Sequence, residues 1–122
     1  MKNPRAAPTL AHNDEVSWFA IGAGPFAVAL HQVGNYVLVD VACRKGPHLP
    51  LHIVSALSLI VALSGALVAW RDWAHHPGRL DGHDMSGRSR FIALVALLFG
   101  LLCALVIAAQ AIAEFYFDPC QR

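Results

Sequence analysis

Three long stretches of the chain contain no Asp, Glu, Lys or Arg, and polar segments separate them. They run over residues 16–39, 51–70 and 91–113, and each is long enough for a helix to cross the roughly 30 Å hydrocarbon core of a bilayer. Because lipid offers no water to the backbone, such crossing segments must be helical. The short alternating pattern of a membrane β-strand is not present. The pattern therefore predicts an all-α membrane protein with three transmembrane helices.

The composition agrees with this prediction. Hydrophobic residues make up 57% of the 122 residues and charged residues 14%, against about 25% charged in an average soluble domain. A soluble domain of this size could not bury so much apolar surface in one core. The formal net charge of +1 gives no general attraction to nucleic acid. We therefore expect one membrane domain over residues 1–122, with the lipid bilayer as its first partner.

The orientation of an up-down-up bundle follows from the Lys and Arg residues on each side, since cytoplasmic segments carry more of them. The N-terminal tail and the loop at residues 71–90 carry six: Lys2, Arg5, Arg71, Arg79, Arg88 and Arg90. The first loop and the C-terminal tail carry three: Arg44, Lys45 and Arg122. The count predicts a cytoplasmic N-terminus, a cytoplasmic loop at residues 71–90 and an extracytoplasmic C-terminus.

The cysteines fit the same topology. Cys43 follows the first span and Cys120 follows the third, so an odd number of crossings places both on the extracytoplasmic side. Disulfides form and persist there, which predicts a Cys43–Cys120 bridge, with two unpaired thiols as the alternative. Cys103 lies within the third span and is interpreted as a small apolar residue.

Small residues recur at helical spacing on every span, as expected where helices approach closely in lipid. The first span has a seam with steps of four and three residues, typical of left-handed packing: Ala20, Gly24, Ala27, His31, Gly34 and Leu38. The second and third have steps of four: Ser58, Ala62 and Ala66, and Ala96, Gly100, Ala104 and Ala108. We interpret all three rows as ordinary helix packing.

Polar residues within the spans concentrate in the half nearest the two outer cysteines. The predicted layer consists of His31, Gln32, Asn35, Tyr36, His52, Ser55 and Gln110. Such groups are costly in lipid and are often functional. Three interpretations remain open: interhelical hydrogen bonding, a docking surface for a larger membrane partner, and a cofactor site. In the third, His31 and His52 would ligate haem or a metal, but upright helices would separate them in depth by about 12 Å.

Several of these residues also carry a resemblance to a known group of proteins. They are Gly24-Pro25-Phe26-Ala27 followed by His31, then Ala42-Cys43, Leu51-His52, Gln110 and Asp118-Pro119-Cys120. Over roughly residues 17–121 the chain resembles small three-helix proteins of the bacterial inner membrane, of uncharacterised activity. Their genes are associated with those of haem–copper cytochrome oxidases. The resemblance implies an accessory or assembly role near a respiratory-chain oxidase.

These observations together predict a non-enzymatic integral membrane protein without a cofactor or metal. It would be an accessory subunit or assembly helper of a larger membrane complex, in the bacterial cytoplasmic membrane. One alternative is a membrane electron carrier that binds haem or quinone. A second is a homo-oligomeric channel or transporter, although the spans contain no charged residue that could carry ions or protons.

Overall fold

The part of the chain that the structure describes forms three long helices. A computed structural model describes residues 7–46, 48–75, 85–117 and 120; it comprises α1 (Ala7–Lys45), α2 (Leu49–His75) and α3 (Met85–Tyr116), with no strand in the described part. Each helix holds a segment long and apolar enough to cross a membrane: Ser17–Lys45, Leu49–His75 and Arg90–Tyr116. The predicted all-α membrane fold with three transmembrane helices is confirmed.

All three helices extend beyond the apolar stretches that predicted them. The predicted connection at residues 40–50 is mostly helical, because α1 continues to Lys45. The residue that follows, Gly46, has a φ of 88°, which suits glycine. Its amide donates to the carbonyl of Ala42 at 2.9 Å. In the predicted loop at 71–90, residues 71–75 and 85–90 are helical and residues 76–84 lie outside the described part. Charged side chains end a membrane span without ending a helix, since water can solvate them.

The helices pack through the predicted rows of small residues. The buried positions include Ala20, Gly24, Ala27 and His31 on α1, Ser58, Ala62 and Ala66 on α2, and Ala96, Gly100 and Ala104 on α3. A Cβ atom added at Gly65 would lie 2.6 Å from the Cβ of Ala23, and one added at Gly24 would lie 3.2 Å from Cys103 Sγ. The absence of side chains at these glycines allows the helices to approach closely.

The disulfide end of the bundle, which is the end that carries Cys43 and Cys120, fixes the register of α1 against α3. The two cysteines form a disulfide with a Cα–Cα distance of 5.6 Å, across a sequence separation of 77. Gly24 packs against Gly100 and Cys103. The sequence separation of these contacts is nearly the same as that of the two cysteines. A residue of α1 therefore lies level with the residue about 77 positions later on α3. The structure brings the predicted cysteine pair together.

This register separates exposed aromatic residues at the two ends of the bundle by the thickness of a bilayer core. Phe115, which is 73% exposed, lies level with residue 38 of α1. Trp18, which is 75% exposed, lies 20 residues further down α1, or about 30 Å at 1.5 Å per residue. Aromatic side chains favour the two membrane interfaces, and about 30 Å is the thickness of the hydrocarbon core. The spacing of these two exposed aromatic residues matches the length of a membrane crossing, and the cytoplasmic side stays a prediction.

We expect Gly65→Ala to destabilise the bundle and Gly22→Ala not to. The new methyl group of Gly65→Ala would collide with Ala23, whereas one at Gly22 has no neighbour within 4 Å. Both substitutions raise helix propensity by the same amount. The difference between the two variants in free energy of unfolding therefore measures the interhelical clash, and overpacking of this kind costs about 1–3 kcal/mol. The measurement is the free energy of unfolding in mixed micelles. Equal values for the two variants would show that α1 and α2 do not pack at this point.

Mass spectrometry of the unreduced chain tests the disulfide. We expect a mass two hydrogens below the reduced form, and one alkylatable thiol, Cys103, after denaturation. In a chain-entropy model the bridge stabilises the fold by at most roughly 4 kcal/mol, because membrane insertion already restricts the unbridged chain. Reduction should therefore lower the unfolding temperature in detergent. Three alkylatable thiols in the untreated protein would contradict the bridge.

Candidate functional site

One buried group of polar side chains joins all three helices below the disulfide end. It consists of His31 and Asn35 on α1, Ser55 on α2 and Glu114 on α3, and we call it the polar cluster. His31 is 1% exposed and Ser55 is 5% exposed. The small residues that surround the cluster bring the three backbones close enough for these short side chains to meet. An interhelical hydrogen bond in a membrane contributes about 0.6 kcal/mol on average and up to 1.7 kcal/mol.

Glu114 is the centre of the polar cluster, because each of its carboxylate oxygens accepts a hydrogen bond from a different helix. The Asn35 amide donates to Oε1, and the Ser55 hydroxyl lies 3.0 Å from Oε2. His31 Nε2 lies 3.7 Å from Oε1. Charge-assisted bonds of this kind are stronger than neutral ones. The carboxylate is therefore held in one orientation by α1 and α2 together.

The protons of the polar cluster can be arranged in more than one way. The single hydroxyl proton of Ser55 faces both Glu114 and the Leu51 carbonyl at 3.1 Å, so it serves one acceptor at a time. His31 Nε2 lies 3.1 Å from Ser55 Oγ and 3.2 Å from Asn35 Nδ2. If the amide donates to Nε2, the ring proton of a neutral His31 is on Nδ1. That atom is buried and has no hydrogen-bond partner among the described residues.

The structure brings together only part of the predicted polar layer. His31, Asn35 and Ser55 meet in the polar cluster, whereas Gln32 and Tyr36 are exposed on another face of α1. Gln110 is half-buried, and its Oε1 has no partner among the described residues. Residues one apart on a helix point about 100° away from each other. Equal depth therefore does not make Gln32 or Tyr36 a neighbour of His31.

Glu114 is the site residue that the sequence analysis did not include. It lies just beyond the third apolar stretch, where a carboxylate resembles an ordinary end of a membrane span. The offset of 77 between α1 and α3 places it level with residue 37, within reach of Asn35. The signal available in the sequence was the predicted disulfide, because a Cys43–Cys120 bridge fixes this offset.

The two histidines considered as haem or metal ligands lie in separate surroundings. His52 stacks on the Phe115 ring with centroids 4.4 Å apart, whereas His31 contacts Ser55 and Asn35. Gly34 lies beside Val54, so the helical rise puts the two histidines about 7.5 Å apart in depth. This corrects the 12 Å expected from the predicted spans, which did not include the true ends of the helices. The described residues contain no group of three or more His, Cys, Asp or Glu side chains that could hold a metal ion.

An open pocket of about 300 Å³ lies beside the polar cluster at the disulfide end. His48, Leu51 and His52 of α2 and residues 114–117 line it. Glu114 belongs to both features, since it accepts hydrogen bonds within the polar cluster and also lines the pocket. The side chain is 19% exposed. The carboxylate is therefore the point at which the buried polar groups meet the surface.

We expect Ser55→Ala to lower the stability of the bundle by about 1 kcal/mol in mixed micelles, because it removes the hydrogen bonds that connect α2 to Glu114 and His31. Ser64→Ala is the matched control on the same helix. The Ser64 hydroxyl donates within its own helix, to the Val61 carbonyl at 2.8 Å. Loss of this hydroxyl should therefore change the stability of the bundle little. A Ser55→Ala variant as stable as Ser64→Ala would contradict the interhelical role of Ser55.

Comparison with known proteins gives no relative for this chain. No protein-family model, curated protein or solved structure matches it. Three features bear on the function of the chain: the polar cluster, the open pocket that shares Glu114 with it, and the exposed polar side chains of Gln32 and Tyr36 on α1.

Proposed function

We propose that this chain is a non-enzymatic integral membrane protein that docks onto a larger membrane complex as an accessory subunit or assembly helper. The observation that carries the proposal is Gln32, an exposed amide within the membrane-crossing part of α1. By the offset of 77, Gln32 lies about six residues, or 9 Å, below the level of Phe115. It lies about 21 Å above Trp18. Its position is therefore inside the hydrocarbon layer.

An amide facing lipid at this depth has no hydrogen-bond partner, and desolvation without a partner costs several kcal/mol in an alkane-like medium. Polar residues in spans usually face the protein interior for this reason. Gln32 faces away from the interior of its own bundle. A second membrane protein with a matching donor or acceptor would remove the cost, since interhelical hydrogen bonds of Gln hold membrane helices together.

The surroundings of Gln32 suit such contact. Tyr36, which is 83% exposed, lies on the same side of α1, and Val33 and Val37, which are 62% and 59% exposed, flank this side. We call these four residues the docking face. Tyr36 lies one turn from Gln32 and adds a large ring with a hydroxyl group, a residue type enriched in protein interfaces. The docking face thus combines two polar groups with apolar side chains that a partner helix can cover.

The identity of the partner complex rests on the resemblance described for residues 17–121. The proteins that this chain resembles are associated with haem–copper cytochrome oxidases. We therefore propose a respiratory oxidase of the bacterial cytoplasmic membrane as the complex, with the disulfide end on the extracytoplasmic side, where the predicted disulfide would persist.

The docking face gives a direct test. We expect the tagged full-length protein, extracted in mild detergent, to co-purify with one oxidase complex. Gln32→Leu should reduce the yield of the oxidase at least tenfold, because it removes the polar group that lies deeper in the membrane than Tyr36. Leu105→Ala is the control, since Leu105 is 67% exposed on α3 and lies outside the docking face. An undiminished yield with Gln32→Leu would refute the proposal.

An absorption spectrum of the same preparation separates the proposal from an electron carrier. We expect the chain to be colourless after the partner is removed in harsher detergent. A Soret band that stays with the isolated chain and disappears in His31→Ala would establish haem binding instead. Phe26→Ala serves as the matched control, because Phe26 is 62% exposed on the same helix and its loss should not change the spectrum.

A further inference from the structure

The open pocket lies at the level of Phe115, where the exposed aromatic residues indicate the boundary between the hydrocarbon core and the lipid headgroups. Its walls come from the beginning of α2 and the end of α3, and they include Phe115, Tyr116 and Phe117. These three rings are 73%, 82% and 74% exposed and lie at this end of the bundle. A pocket at this depth opens to the headgroup layer, where zwitterionic lipids are present at high local concentration.

Glu114 contributes carboxylate oxygens, which are hydrogen-bond acceptors, to the lining of the pocket next to the polar cluster. Asn35 and Ser55 hold the two oxygens of Glu114 from the bundle side, and a carboxylate oxygen has capacity for a second donor. His31 Nε2 lies 3.7 Å from Oε1 of Glu114, on the bundle side of the carboxylate. A carboxylate fixed in this way selects a ligand that carries hydrogen-bond donors and positive charge.

Aromatic rings provide the second part of the recognition. His52 and Phe115 form a stacked pair, and Tyr116 and Phe117 also line the pocket. The faces of Phe and Tyr rings attract cations within about 6 Å. A carboxylate next to aromatic rings is suited to an ammonium group, which presents three donors and no acceptor. His48, which also lines the pocket, can donate to a phosphate oxygen at the rim.

We propose that this pocket binds the headgroup of an ethanolamine phospholipid, with the ammonium group on Glu114 and the phosphate at the rim near His48. A quinone is the less suitable ligand, because its carbonyl groups are acceptors and would meet the acceptor oxygens of Glu114. A pocket of about 300 Å³ is at the lower limit of small-molecule sites, which fits a headgroup better than a haem. The proposal does not depend on the partner complex.

Native mass spectrometry of the delipidated full-length protein tests the site. Phosphatidylethanolamine, phosphatidylcholine and phosphatidylglycerol with identical acyl chains are added one at a time. We expect phosphatidylethanolamine to bind at least tenfold more tightly than phosphatidylglycerol, which has no cation. Phosphatidylcholine should be intermediate, because its ammonium group has no N–H donor. Equal binding of the three lipids would overturn the proposal.

Two variants with a matched control locate the site. Glu114→Gln keeps the size of the side chain and should abolish the preference for phosphatidylethanolamine. Asp40→Asn removes a carboxylate on α1 that pairs with Arg44 at 3.2 Å, and should leave the preference intact. If Glu114→Gln does not fold, Tyr116→Ala replaces it, since Tyr116 is largely exposed, and should weaken the preference several-fold. A preference unchanged in Glu114→Gln and Tyr116→Ala would place the lipid elsewhere.

Free phosphoethanolamine distinguishes a lipid from a soluble ligand with the same headgroup. We expect it to compete only at concentrations at least a hundredfold above those of the lipid, because the acyl chains keep the lipid in the bilayer or micelle next to the pocket. Competition at equal concentration would show that the pocket takes a soluble ammonium compound and would overturn the assignment to a phospholipid.

Discussion

The close approach of the three backbones is the constraint on which the rest of the structure depends. Helices in lipid gain nothing from burying apolar surface against each other, so they associate through contact and through polar bonds. At Gly65 even one methyl group would meet Ala23 at 2.6 Å. Only with this spacing can side chains as short as Ser55 and Asn35 reach a carboxylate on a third helix. The polar cluster is thus a consequence of the small residues, and it also fixes their register.

The sequence predicted the helices, the seam and the cysteine pair because each depends on one helix or on its ends. Charge-free length identifies a span, and a period near 3.6 identifies its buried side. The composition of the polar cluster could not be predicted in the same way. It depends on the rotation of each helix and on the offset between helices. His31 and Gln32 are neighbours in the sequence, yet one is buried and the other is exposed. Grouping them by depth alone ignored the angle of about 100° between them.

The same dependence explains why Glu114 was missed and why His52 was placed at the wrong depth. Both are close to the end of a span, where the apolar pattern stops but the helix continues. The position of Glu114 against α1 is fixed by a covalent bond between Cys43 and Cys120, residues outside the apolar stretches. A predicted disulfide therefore carries register information, and applying the offset of 77 to the sequence would have placed Glu114 beside Asn35. The sequence shows that Gln32 is a polar residue within a span. Predicting that its side chain is exposed also requires the rotation of α1 about its own axis.

The distribution of polar groups also bears on transport. Beyond Ser58 the described interior changes to small and branched apolar side chains: Ala27, Ala62, Ala104 and Ile107 form one buried cluster, and Ala20, Ala69 and Ala96 form the next. Ala27, Ala62 and Ile107 are 0% exposed, so this part of the bundle is packed without a polar route. Ions and protons need a continuous series of polar groups or water to cross a membrane. In the described part of one chain the buried polar side chains end about halfway, at Ser58, and the half-buried Ser64 beyond it bonds only within α2. The polar groups of the other half join the three helices and reach the surface at the disulfide end through Glu114.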